Sequence, residues 1–182
     1  MKKLWVVLLA MVFMVVGAGT ALAKSPVSDW DTPYTPDFEL VFKGSLSKEY
    51  LDQNSICFML TKNGAITNII GALIKYEFTS EGMQERIRIY KKNNYNSPKY
   101  DNFSYSHNFI LYDLDNNKYT VIRFIDFDKS YNIIDETTKS LDNLRWSAIP
   151  PERAYTIDVI KKYIALNYDV MLSRSEYIKK SE

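Results

Sequence analysis

Two runs of residues that alternate in polarity, Tyr105 to Leu114 and Tyr119 to Phe127, stand on either side of Asp115-Asn116-Asn117-Lys118. Alternation with a period of two is the mark of a strand, and a short polar turn between two such runs joins them antiparallel. This hairpin commits the chain to an antiparallel sheet. Tyr119, Val121, Ile125 and Phe127 share one face of the second run, interrupted by Arg123, while Ile122 and Phe124 load the other. Both faces of the hairpin are therefore expected to be at least partly covered.

The remaining elements are read around it. Glu39 to Lys43 reads as a short strand, Tyr50 to Ile56 as a turn-rich approach, and Ile56 to Thr61 as a second strand ending at the Asn63-Gly64 turn signal. Ala65 to Phe78 is almost continuously apolar, which periodicity cannot assign. Its β-branched Ile66, Ile69, Ile70 and Ile74, with Tyr76 and Phe78, favour a strand in which Gly71 marks a bulge or bend. Met83, Ile87 and Tyr90 fall at helical spacing among polar residues and predict a short amphipathic helix. Asn93 to Phe103 reads as a loop, and Asp128 to Ser130 as a turn into Tyr131 to Ile134. Ile149-Pro150-Pro151 ends extended structure, because a residue before proline is pushed out of the α region, and Pro151 suits a first helical turn. Ala154, Ile157, Ile160 and Ile164 then repeat at helical spacing, and 169–182 reads as a polar tail or second short helix. The expected fold is α+β: an antiparallel sheet of five or six strands with a C-terminal helix packed on it, one domain over residues 39–168. Trp146 is expected to be buried as a plug under that helix.

Met1-Lys2-Lys3, an apolar run from Leu4 to Val16 and Ala21-Leu22-Ala23 have the basic, apolar and small-residue order of a cleavable signal peptide, followed by an extended leader over 24–38. Export to the periplasm, cell surface or medium is the expectation. A membrane anchor needs about 20 apolar residues, which 4–23 could just supply, but Gly17, Gly19 and the Ala-Leu-Ala step favour cleavage. The mature chain would carry 21 basic and 22 acidic residues, without the basic excess that a phosphate backbone calls for, so no nucleic-acid partner is expected.

Little in the sequence points to chemistry. Cys57 is the single cysteine and lies in an apolar run, so it reads as a buried thiol, with a reactive or chain-bridging role as the alternative. His107 is the single histidine, too few for a typical zinc site. Asp113-Leu114-Asp115-Asn116-Asn117 starts like a calcium loop, but Lys118 and Phe124 stand where glycine and glutamate are needed. Asp126 and Asp128 could form a carboxylate pair and also read as turn chemistry. No metal, cofactor or enzymatic activity is expected, with a small hydrolase using Cys57 or the two aspartates kept as an alternative.

Tyr50-Leu51-Asp52-Gln53-Asn54-Ser55-Ile56, Tyr112 to Tyr119, Phe127-Asp128-Lys129-Ser130 and Trp146-Ser147-Ala148-Ile149-Pro150-Pro151 follow one another before the last helix. This succession resembles the surface-adhesin protein E family of exported bacterial proteins. The resemblance implies a sheet-and-helix fold and binding of host extracellular-matrix or serum proteins such as laminin and vitronectin. An envelope protein is the other expected partner, and Asp52, Trp146, Pro150 and Pro151 are read as structural residues. A periplasmic assembly factor is the other non-catalytic reading. The chain departs from the family at Leu114 and near Tyr163, where many members carry a cysteine pair, at Tyr131, where a turn glycine is common, and at Arg153, where a serine often follows the proline.

Arg86, Arg88, Lys91, Lys92, Tyr95, Lys99 and Tyr100 concentrate cations and tyrosines in one stretch and form the candidate binding surface, since interfaces favour tyrosine and arginine. A solvated helix face followed by a loop accounts for the same residues. Cleavage is checked by intact mass: protein from its native host should begin at Lys24, and a mass retaining 1–23 would mean an anchor instead.

Overall fold

The computed structural model describes residues 36–61, 63–92, 98–141 and 144–177. The expected signal peptide, most of the leader, Tyr95 and the last five residues of the tail lie outside them. Six strands run in chain order as an antiparallel meander: β1 (Phe38–Lys43), β2 (Ser47–Leu60), β3 (Ile66–Phe78), β4 (Phe103–Asp113), β5 (Lys118–Asp128) and β6 (Ile133–Thr138). Two short strands extend the sheet. β7 (Ser147–Ala148) pairs with the start of β5, and β8 (Glu176–Tyr177) runs parallel to the end of β2. Helix α1 (Ser80–Lys92) and a 3-10 turn (Pro98–Asn102) connect β3 to β4, and a second 3-10 turn (Pro151–Arg153) leads into α2 (Ala154–Ser173). The expected sheet with a packed C-terminal helix is what forms.

The apolar run of β3 is continuous because both its faces are covered. Ile70, Ala72, Ile74 and Tyr76 join Ile56 and Phe58 of β2 and Ile110 and Tyr112 of β4 beneath Ile157, Ile160 and Met171 of α2. On the opposite face Leu73 packs with Cys57, Met59, Phe109, Leu111 and Ile122 under a strap formed by Leu141, Leu144 and Trp146. Gly71 is no bulge, since β3 and β4 pair without a register shift around it. It is small because a Cβ there would stand 2.7 Å from Phe109 Cζ.

The stretch read as a turn-rich approach is an irregularity inside β2. Asp52 pairs with Leu73 and Cys57 with Gly71, so β2 spends five residues where β3 spends two. Ser55 fills the gap: its hydroxyl donates to the Asp52 carbonyl at 2.6 Å and accepts from Leu73 N–H at 2.7 Å. Asp52 Oδ1 accepts from the backbone N–H groups of Asp37 and Asn54, both at 3.0 Å. The insertion resets parity, so Leu51 and Ile56 both reach the helix-side core.

One expectation is corrected. Trp146 is half-buried on the strap side, not under α2. Trp146 and Ile149 lie three residues apart around β7, so in extended chain they face opposite ways, and it is Ile149 that enters the helix-side core. Of the stretch read as a polar tail or second short helix, residues 169–173 are helical beyond a non-helical kink at Asn167, and β8 follows. The kink lets the helix follow the sheet far enough to bury Met171.

The two prolines act as expected. Pro150 is extended (φ −67°, ψ 147°), and Pro151 opens the 3-10 turn, which places Arg153 at the mouth of α2. The Arg153 guanidinium bonds Glu49 Oε1 at 3.0 Å and Tyr76 Oη at 2.7 Å, and lies over the rings of Tyr76 and Tyr119. Glu49 is only 4% exposed, and burial pushes its carboxyl pKa up while Arg153 pulls it down. Breaking a buried pair leaves one charge uncompensated. Arg153→Met should therefore cost about 3–5 kcal/mol in urea denaturation, and Glu49→Leu added to it should recover much of the loss.

Candidate functional site

Away from the strap, the helix-free face of the sheet carries an aromatic field. Register across β2, β3, β4 and β5 sets Tyr50 opposite Lys75, Lys75 opposite His107, and Tyr105 opposite Phe127. The Lys75 ammonium stands 5.3 Å from the ring centre of Tyr105, 5.6 Å from Tyr50 and 5.7 Å from Phe38. It also meets Glu77 Oε1 at 2.6 Å, while the Tyr50 hydroxyl donates to Glu77 Oε2 at 3.0 Å. The Lys75 hydrogen bond accordingly holds the Glu77 carboxyl below the usual carboxylate range. Tyr105 stacks on Phe127 with ring centres 4.7 Å apart and planes 9° from parallel, and His107 packs edge-on against Phe127 at 4.9 Å.

At one margin of this field stands Tyr131. Its backbone is left-handed, with φ 66°, and its side chain is 78% exposed. A bulky residue is a rare occupant of that region, where glycine sits without a Cβ clash. The conformation is held by Asp128, whose carboxylate accepts from Ser130 N–H and Asn132 N–H at 2.8 Å each and from Asn132 Nδ2 at 2.9 Å. Those bonds, led by the Asn132 side chain, keep the Asp128 carboxyl below its ordinary range. Tyr131 thereby meets Tyr105 at 6.0 Å, ring edge to ring face, and the two border an open cleft of about 280 Å³ that Lys75, Glu77 and Lys129 also line.

The stretch expected to bind does not form one surface. Tyr100 is buried, 2% exposed, and its hydroxyl reaches Asp126 at 3.2 Å and Asp135 at 3.3 Å. Arg86 is half-buried with its guanidinium over the Tyr90 ring at 4.8 Å. Arg88 pairs with Glu85, Lys91 with Asp101, and Lys92 is exposed. Lys99 lies in the 3-10 turn, with its side chain outside the described residues, as is Tyr95.

The groups considered for catalysis have structural partners. Asp126 is fully buried and accepts from Tyr90 Oη at 2.6 Å, from Tyr100 Oη and, by a short bond, from Ser106 Oγ. Asp128 is the turn anchor just described. Cys57 is fully buried with its thiol 3.9 Å from the Gly71 carbonyl. Asp113 accepts from Asn116 N–H and Nδ2 and so closes the β4–β5 turn. Among the described residues no group of three or more metal-ligating side chains comes together.

Nothing in the sequence pattern joins Lys75, Tyr105, Phe127 and Tyr131 into one group. The available signal was a tyrosine at a turn position, 131, where the resemblance leads one to expect glycine.

Burial, and then the Lys75 charge, lower the His107 pKa to about 4 from 6.5. The unfolded chain thus binds the proton more readily between those values, so this contribution is complete above pH 6.5 and is lost as pH falls toward 4. Denaturation midpoints measured from pH 7 to 4.5 should fall with acidity, and His107→Phe, matched to its aromatic neighbours, should flatten the dependence. Neither a protein-family model, nor a curated protein, nor a solved structure matches the chain.

Proposed function

We propose that this chain is an exported, non-catalytic binding protein that engages a protein partner at or outside the cell envelope through the aromatic face of Tyr105, Phe127 and Tyr131. The observation that carries the reading is Tyr131: a large aromatic side chain, held in a left-handed turn and turned almost wholly to solvent. Strained backbone persists where its surroundings over-determine it, which fits a functional role more readily than a packing one. Exposed tyrosines offer large contact area with a hydrogen-bonding tip at little entropic cost, which suits protein recognition. Lys75 and Lys129 add cationic contacts at the rim. The buried states of Cys57 and Asp126 support a non-catalytic role. The resemblance to the surface-adhesin protein E family supports a matrix or serum protein as the partner, by analogy of fold and export. Pull-down of matrix proteins against periplasmic proteins separates an adhesive role from envelope assembly.

Tyr131→Gly separates binding from folding. Glycine takes the same backbone at no steric cost, so the melting temperature should stay level or rise, while affinity for the partner identified in that screen should fall roughly tenfold or more, about 1.4 kcal/mol. Unchanged affinity with the fold intact by circular dichroism would remove the aromatic face from the proposal.

A further inference from the structure

The half of the sheet that neither the helices nor the strap covers is cationic as well as aromatic. Lys43, Lys48, Glu77, Tyr105 and Phe127 stand opposite one another in turn across β1 to β5. Opposed residues share a face, so this row lies on the side of Tyr50 and Lys75. Lys43 and Lys48 are exposed, as is Lys129, which joins Lys75 at the cleft that Tyr131 borders. Glu77 stands among these four lysines. The other carboxylates on this half of the face are already engaged: Asp52 and Asp128 accept backbone N–H groups, and Glu136 pairs with Arg123. With 23 basic and 22 acidic residues in the whole chain, no general excess of cations accounts for the cluster. A local field of one sign attracts a partner of the other.

Glu77 narrows the kind of anion. A bare phosphate, on a lipid or a nucleic-acid backbone, wants donors alone, and a carboxylate among them repels it. Lys75 keeps Glu77 ionised, so the cleft offers an acceptor between two cations, and Ser104 lines it with a hydroxyl that serves either way. A sugar ring uses that mixture, because each of its hydroxyls both donates and accepts. It also needs a flat wall: the C–H bonds on one side of a pyranose carry slight positive charge and settle on the negative face of an aromatic ring. Tyr131, almost wholly exposed and fixed by its left-handed turn, supplies that wall. The cleft of about 280 Å³ has room for one such ring, and the row from Lys43 to Phe127, at about 4.8 Å per strand, gives a track of roughly 19 Å for its neighbours.

We infer that the aromatic face binds its partner through an acidic glycan, a chain of sugars carrying carboxylate or sulfate groups. One ring stacks on Tyr131 over the cleft, and the charges of the units beside it meet Lys43, Lys48 and Lys129. This rests on the role proposed above for the face and adds the chemistry that the face selects.

The test is isothermal titration calorimetry of the purified chain with oligosaccharides of heparin and hyaluronan as acidic probes and a maltooligosaccharide as the neutral one. An acidic probe should bind and the neutral one should not, and the Kd should rise with added salt. Tyr131→Gly, and separately Lys48→Gln with Lys129→Gln, should each raise that Kd tenfold or more with an unchanged circular dichroism spectrum. Glu77→Gln supplies a sign: losing a hydroxyl acceptor raises the Kd, whereas a purely electrostatic site binds more tightly once the acid is gone. Tighter binding by Glu77→Gln therefore overturns the inference, as does saccharide binding that is indifferent to Tyr131→Gly. Capture of anionic phospholipid vesicles or of a single-stranded oligonucleotide, with the saccharides ignored, overturns it too. If no acidic saccharide binds while a partner protein still requires Tyr131, the glycan falls and the role of the aromatic face stands. If that protein is also indifferent to Tyr131→Gly, both fall.

Discussion

The Ser55 hydroxyl inside β2 is the contact on which the two-sided core depends. β2 must send Leu51 to the helix side near its start and Ile56 and Phe58 to the same side further on, with Cys57 and Met59 to the strap side. An uninterrupted strand with Leu51 on the helix side would put Ile56 on the strap side. The extra residues between Asp52 and Cys57 correct the parity, and they would leave Leu73 N–H without its ladder partner. A buried donor left unpaired costs about 1–3 kcal/mol, and Ser55 Oγ removes that cost by standing in for a backbone carbonyl. Asp52 fastens the outer end of the insertion to β1 through Asp37 N–H.

The helices are held by polar groups as much as by apolar ones. Asp126 and Ser106 face the helix side, since Ser106 pairs with both Asp126 and Tyr76. Asp126 collects the Tyr90 hydroxyl from α1 and the Tyr100 hydroxyl from the turn that follows it. Glu49 and Tyr76 hold α2 through Arg153. Among the described residues, tyrosines serve two contrasting purposes. Tyr76, Tyr90 and Tyr100 turn inward and spend their hydroxyls on charged groups, whereas Tyr131 and Tyr155 turn outward and offer their rings. Tyr112 lies fully buried beside the Arg153 cluster, where burial and the neighbouring Tyr76 raise its hydroxyl pKa and Arg153 lowers it.

What the sequence made legible were the elements whose signal is local. The β4–β5 hairpin, the helix announced by Met83, Ile87 and Tyr90, and the proline-led start of the last helix all form within a few residues of their expected ends. Position along the chain carried less information about sidedness. Trp146 looked like a plug for the helix because it precedes it, and its face was decided by the pairing of Ser147 and Ala148 with β5. Tyr100 looked like surface because its neighbours are charged, and its burial depends on Asp126, a partner 26 residues away. The aromatic field was hidden for a related reason. Lys75, Tyr105 and Phe127 meet only through register, and the β4–β5 register is shifted at Ser104 and again at Ile122, where one strand gains a residue on the other. Alternation in a single strand cannot report such offsets.

From β1 to β6, strand order in the sheet repeats strand order in the chain, so each of these strands has an edge to add to as soon as it is made. The exception is α2. Its anchor on Glu49 closes a loop of roughly a hundred residues, and every strand of the meander precedes it in synthesis. Until Ala154 and the residues beyond it arrive, Ile56, Phe58, Ile74 and Ile110 line a bare apolar slope on a sheet that is already paired. A growing or C-terminally shortened chain is therefore a sticky object with near-native strands, and the last helix is the part that makes it safe to release.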